Sequence, residues 1–299
     1  MTDSAPRSRV VVVGDVINDV LVVPRGEIRR DTDTSSTIRP RPGGSAANSA
    51  AWLGSLGAQV DFVGAVGSAD AEYHAQTFRD HGVVPHLQVE LGLPTGTIVI
   101  LIDGESRSML TERGANAALS ATAVTDELLA NAAVMLVSGY SILDGFPARG
   151  VLDLIARARA ADVPVAITLG SVGYLSDYGP QEFLELVDGV DLAFLNLDEG
   201  RLVTGEDEPE RIAEALGKRF VCSVITLGAE GVLVTERGRK PLAVAAPPVR
   251  LVDPTGAGDA FAAGFLERWV HSRDAVAAAE AGVFAAARAV MVMGGRPPV

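Results

Sequence analysis

Apolar residues fall along this chain in two rhythms. The run Val10 to Val13, ending at Gly14-Asp15, has the continuous apolar pattern of a strand buried on both faces of a parallel sheet, with a loop at its carboxyl end. Val60 to Val66, Ala133 to Val137, Val163 to Leu169, Leu192 to Leu195 and Val221 to Leu227 repeat that pattern. Between them lie stretches with helical spacing, at 70–80, 125–130, 148–160, 180–187, 198–204 and 209–218. A strand pair at 231–235 and 241–245 and two helices at 256–270 and 274–290 complete the chain. Strands alternating with helices predict an α/β fold with a doubly wound, mostly parallel sheet and right-handed crossovers. Residues 1–299 are read as one such domain.

Two stretches leave the alternation. Val20 to Pro42 carries short apolar pieces among many charges and threonines. Thr97 to Ile102, Asp103-Gly104 and Glu105 to Leu110 read as a hairpin, because Asp-Gly supplies the positive φ angles of a type I′ turn. Segments of about 20–42 and 95–112 are therefore expected to pair as a small β lid over the sheet's carboxyl edge, where open α/β sheets bind ligands. Val83 to Val89 is expected to be extended. Between the lid segments, Gly43-Gly44 opens a helix rich in Ala and Ser that Gly57 can end in an αL cap.

Composition narrows the function. At 299 residues and 48% hydrophobic content the chain can bury a large core. A net charge of −13 argues against binding nucleic acid or an anionic membrane surface, both of which attract clustered Lys and Arg. Cys222 is the single cysteine and sits in an apolar run, so disulfides and cysteine metal clusters are excluded, and the four histidines show no metal-ligand spacing. The N-terminus lacks an apolar signal core and no apolar run reaches a membrane span, so a cytoplasmic protein is expected.

The densest chemistry lies in Asp253-Pro254-Thr255-Gly256-Ala257-Gly258-Asp259-Ala260-Phe261. It reads as a turn, two glycines that let backbone N–H groups approach a ligand, and the first turn of a buried helix, where unpaired N–H groups favour an anion. Asp259 would stand beside that anion as a base. Glycine turns and Asp residues also begin helices for structural reasons alone, so the nonapeptide by itself leaves both readings open. There is no Gly-x-x-x-x-Gly-Lys-Ser/Thr loop and no dinucleotide glycine fingerprint, which disfavours P-loop and hydride chemistry. Asp15, Asn18 and Asp19, after the first strand, are candidates for holding hydroxyls, and Ser45 to Asn48 would let a ligand sit close to a helix start.

The sequence resembles the ribokinase-like (PfkB) carbohydrate kinase family. Asp253 to Asp259 is similar to its C-terminal motif and Gly43-Gly44-Ser45-Ala46-Ala47-Asn48 to its N-terminal one. Asn196-Leu197-Asp198-Glu199 resembles the family's Asn-x-x-Glu element, Thr226 to Gly231 its Thr-x-Gly-x-x-Gly, and Gly114 to Leu119 the segment after its lid hairpin. The resemblance implies an ATP-dependent kinase acting on a hydroxyl of a sugar or sugar-like molecule. Asp259 would be the base and Gly256, Ala257 and Gly258 the anion hole. Asp15, Asp19, Gly43, Gly44, Asn48 and Asn116 would hold the acceptor, and Asn196, Glu199, Thr226, Gly228 and Gly231 the nucleotide. It further implies Mg²⁺ near Glu199 through water, a monovalent cation such as K⁺ at Asp253, and a homodimer through the lid.

Two departures matter. Leu169-Gly170-Ser171 stands where many relatives have Asp-Pro, and Ser138-Gly139-Tyr140 stands where ribokinases proper tend to place a substrate-binding Glu further along, which argues against ribose. Neither lid segment contains Phe, Tyr or Trp, so a sugar ranks above a nucleoside as acceptor. Arg29, Arg39, Arg41, Arg107 and Arg113 keep an anionic sugar open. The alternatives are an adenosine-type nucleoside kinase and a non-catalytic sugar-binding regulatory relative.

Overall fold

The computed structural model describes residues 8–103, 106–143 and 145–299. Its strands, in chain order, are β1 (Arg9–Val13), β2 (Ile17–Pro24), β3 (Ser36–Gly43), β4 (Val60–Gly67), β5 (Val83–Glu90), β6 (Gly96–Asp103), β7 (Ser106–Glu112), β8 (Ala132–Ser138), β9 (Val165–Thr168), β10 (Leu192–Asn196), β11 (Cys222–Thr226), β12 (Val232–Glu236) and β13 (Leu242–Val244). Nine form one sheet in the order β13-β12-β11-β10-β9-β8-β1-β4-β5. All neighbours in it run parallel except β11-β12 and β12-β13.

β1 shows why the valine run is continuous. Successive side chains point to opposite faces of a strand, and both faces here are covered. Val11 and Val13 enter one core cluster and Val10 and Val12 the other. All four are 0% exposed, each burial contributing roughly 1.5–3 kcal/mol. Phe194 on β10 packs edge-to-face with Phe261 and Phe265, which fastens the helix Ala257–Ser272 under the sheet.

The lid is a second sheet, ordered β3-β2-β6-β7. β2 pairs antiparallel with β3 and parallel with β6, and β6 pairs antiparallel with β7. The Asp-Gly turn expected between the hairpin strands lies outside the described residues. The roots of β2 and β6 are tied together by one carboxylate: Asp70 accepts from Asn18 Nδ2 at 2.7 Å and from the Thr95 hydroxyl. Because β3 ends at Gly43, directly before the helix Ser45–Ser55, the lid and the core meet at that glycine pair.

Two elements differ from expectation. The 83–89 stretch is more than extended: as β5 it forms the parallel edge strand of the main sheet, with the mixed burial of a strand covered on one face. A helix at Val172–Tyr178 follows β9, begun by Ser171, whose hydroxyl accepts from Tyr174 N. Among the described residues no helix is long and apolar enough to cross a membrane.

Candidate active site

Two helices begin side by side beneath the lid, each at a glycine with positive φ. The helix Ser45–Ser55 starts after Gly44 (φ 97°) and the helix Ala257–Ser272 after Gly256 (φ 77°). A β-carbon on Gly44 would lie 2.5 Å from the Asp15 carbonyl oxygen and one on Gly256 2.5 Å from Gly295 Cα, so side chains fit neither position.

Asp259 lies between the two helices. Its Oδ1 accepts from Ser45 Oγ at 2.6 Å, its Oδ2 from Asn48 Nδ2 at 3.0 Å, and its backbone carbonyl from Ser49 Oγ at 3.3 Å. Burial pushes its carboxyl up to about 7; the bonds from Ser45 and Asn48 pull against that, and the charge of Asp15 adds to it. A carboxylate balanced near neutrality is suited to take a proton at physiological pH. Beside it Gly258 is exposed, and a β-carbon there would meet nothing within 4 Å. Open space thus adjoins both the Asp259 carboxylate and the N–H-rich end of a helix.

The residues expected to hold an acceptor divide into two groups. Asp19, on β2, faces the site, its carboxylate lying where a Gly43 side chain would be. Burial pushes Asp19 up to about 7; Arg296 opposes this, while Asp15 and Asp259 add to it. The others are committed to the protein. Asp15 accepts from Ser45 N at 2.7 Å and Ala46 N at 3.3 Å, capping its helix; Asn48 donates to Asp259. The Asn116 amide holds the β1–β2 turn, accepting from Val16 N and donating to Val16 O, both at 2.8 Å, and donating to Arg113 O.

Of the residues expected to border the nucleotide, Asn196 and Thr226 are register partners at the carboxyl ends of β10 and β11. Asn196 and Glu199 form a reciprocal capping box, each accepting from the other's backbone N–H at 2.9 Å. Burial pushes Glu199 up to about 7. Gly228 and Gly231 shape the turn after β11, with φ of 61° and 102°.

The lid closes onto the C-terminal motif through Arg107. Its Nη1 lies 3.1 Å from Asp253 Oδ1 and donates to Thr255 Oγ1 at 2.9 Å. Asp253 also accepts from Thr255 N at 3.0 Å, Thr255 Oγ1 at 2.7 Å and Gly294 N at 3.0 Å. Burial raises its carboxyl, but these donors and Arg107 outweigh it and leave the group below the usual carboxylate range. With a guanidinium already opposite Asp253, the residues as placed do not fit a monovalent cation there. Only a narrow crevice of about 20 Å³, room for about one water, remains between lid and core here, with Asp19, Arg41, Ile100 and Arg107 above and Asp253 and Thr255 below.

Sequence reasoning missed Tyr140 and Arg296. The Tyr140 hydroxyl is pushed well above its ordinary value by burial and by the charges of Asp15, Asp259 and Glu199, and its ring meets Tyr174 edge-to-face. Its position just past the carboxyl end of β8 was the available signal. For Arg296, in a Gly-Pro-rich tail, the sequence holds no local signal.

Comparison with known proteins places the whole chain among relatives of one family. The chain is 30% identical over 269 residues to the cytidine kinase of Thermococcus kodakarensis, covering 88% of this chain and 89% of that one. Its fold matches the crystal structure of adenosine kinase from Sinorhizobium meliloti with a TM-score of 0.88 at 26% identity, over 99% and 97% of the two chains. It matches Arabidopsis thaliana ribokinase, complexed with ribose and ATP, with a TM-score of 0.82 at 26% identity, over 97% and 94%. The pfkB family carbohydrate kinase profile matches residues 7–299, and the chain belongs to that family.

Proposed function

We propose that this protein transfers the γ-phosphoryl group of ATP to a hydroxyl of a sugar or sugar-like acceptor, with Asp259 as general base. The observation that carries this reading is the open space at Gly258, bounded by an uncapped helix start and by the Asp259 carboxylate that Ser45 and Asn48 hold in place. Asp259 takes the hydroxyl proton as the acceptor oxygen bonds to the γ-phosphorus and the bond to the bridging oxygen breaks, releasing ADP. The N–H groups of Gly256, Ala257 and Gly258 face the charge on the transferring oxygens. Ala257 N also makes a long 3.3 Å bond to Pro254 O, so Gly258 is the freer donor.

Asp19 and the Gly43-Gly44 backbone hold acceptor hydroxyls, with Asp15, Asn48 and Asn116 supporting them from behind. Asn196, Glu199, Thr226, Gly228 and Gly231 border the nucleotide. A Mg²⁺ would be held chiefly by the nucleotide's phosphates, with Glu199 behind water. When bound, that ion neutralises phosphate charge. Exposed Val23, Ile38, Met109 and Leu110 on the lid support pairing with a second copy. A cytoplasmic location accompanies the use of ATP.

A nucleoside acceptor is the second reading, favoured by Tyr140, an aromatic side chain supplied from the core where the lid has none. ADP release measured over pentoses, hexoses, sugar acids, sugar phosphates and nucleosides separates the two. Turnover of a sugar sustains the first reading, turnover of nucleosides alone the second, and ADP release with no panel compound contradicts both.

A further inference from the structure

Residues Met293 to Pro297, near the carboxyl end, look like a tail but run beneath the site. Gly294 N donates to Asp253, Trp52 Nε1 donates to Gly295 O at 2.9 Å, Arg41 donates to Met293 O, and His81 Nε2 lies 3.0 Å from Pro297 O. Within this strap Arg296 is 8% exposed. Its Nη2 donates to Gly43 O at 3.2 Å and its Nη1 to Thr77 Oγ1 at 2.9 Å; the guanidinium lies 5.1 Å from the centre of the Phe78 ring, and Nε is buried without a partner.

A buried cation bonded only to neutral acceptors is costly, because desolvation exceeds what a carbonyl and a hydroxyl return. As a fastening for a turn it is a poor choice. Its charge gains a use one residue away, since the same Gly43 whose carbonyl it holds has the Asp19 carboxylate packed against its Cα, where a β-carbon would come within 2.1 Å of Oδ2.

We propose that Arg296 is a positioning and specificity-determining residue for the acceptor, holding Gly43 against Asp19 and supplying the positive charge that keeps Asp19 an ionised acceptor of substrate hydroxyls. This rests on the kinase reading. The groups facing Asp19 are Arg296, Asp15 and Asp259, with Arg41 its register partner on β3. Those facing Arg296 are Asp19, Tyr73 and His74, and burial lowers His74 to about 4, leaving it neutral above that pH. Asp15 and Asp259 both raise the Asp19 carboxyl, and Arg296 is the group that lowers it. Removing the charge therefore raises Asp19 further and leaves it protonated at neutral pH. Hydroxylic acceptors with vicinal oxygens, which need a doubly accepting carboxylate, lose most.

The test uses the full chain and the panel compound that gives the fastest ADP release. Arg296→Gln removes the charge, and Arg296→Lys keeps it without the fork. For Arg296→Gln at pH 7 the acceptor KM is expected to rise about tenfold, the scale of a lost charge-assisted interaction, while the KM for ATP stays put. Calorimetric binding of the acceptor without ATP should weaken equally and recover as pH is raised. Arg296→Lys should keep the wild-type pH dependence of binding with reduced affinity. If Arg296 only fastens the tail, both variants melt lower and neither changes the pH dependence, which overturns the proposal. Should Arg296→Gln not fold, the same pH series is read with Arg296→Met, which also removes the charge: a pH dependence moved to higher pH supports the proposal and an unmoved one overturns it. Failure of the wild type to phosphorylate any panel compound would instead overturn the kinase reading.

Discussion

The two helix starts under the lid are built alike and used differently. Each follows a glycine with positive φ, and the first N–H groups of each have no partner within their own helix. At the N-terminal one the anion is internal, because Asp15 accepts from Ser45 N and Ala46 N. At the C-terminal one no side chain caps the helix, and the space beside Gly258 is open. A helix start filled by the protein's own carboxylate is a structural joint, whereas one left open keeps its N–H groups available to an external anion. The difference lies in one residue, Asp15, supplied by the loop after β1.

This contrast can be broken at several points. The largest expected effect is at Asp259→Asn, which should lower kcat by about 10²–10⁴, the worth of general base catalysis, with ATP affinity nearly unchanged. Gly258→Val should lower turnover by roughly 10²–10³, because its branched side chain fills the space through which a phosphate reaches the N–H groups, with little change in melting temperature because that space is open in the protein. Asp15→Ala should do the reverse, costing about 1–2 kcal/mol of stability as a lost helix cap, read from denaturant melts. If Gly258→Val unfolds the protein and Asp15→Ala leaves stability intact, the distinction between the two starts is wrong.

The smallest effect concerns pH. With Asp259 near 7, kcat/KM should rise as pH increases through about 7, since the base works ionised. Ser45 donates to that carboxylate and favours its charged form, so Ser45→Ala should raise the Asp259 value and move the rising limb to higher pH. A limb that stays in place would separate Ser45 from the base.

Much of this was legible in the sequence because it follows from periodicity or from local turn chemistry. The valine run announced a doubly covered strand, and Asp253 to Asp259 a glycine-led start of a buried helix. Asn196 and Glu199 were readable both as a cap and as a phosphate element, and the capping box is present. The long-range contacts were not legible. Nothing near Ser45 says that its hydroxyl meets Asp259, and nothing near Asn116 says that its amide is used up on Val16 and Arg113. Arg107 was visible as a lid arginine, but its seat on Asp253 depends on how the second sheet folds down. Arg296 depends on the tail crossing under both motifs, a matter of tertiary path that no local pattern encodes.

The central claim is that Asp259 activates an acceptor hydroxyl toward the γ-phosphorus of ATP. Phosphorus NMR of ATP, Mg²⁺ and the acceptor tests it directly, run with wild type and Asp259→Asn at matched melting temperature. The account predicts a new phosphomonoester resonance growing as the γ-phosphate signal falls, at least about 100-fold slower in the variant. Inorganic phosphate as the sole product, or equal rates for the two proteins, would contradict it.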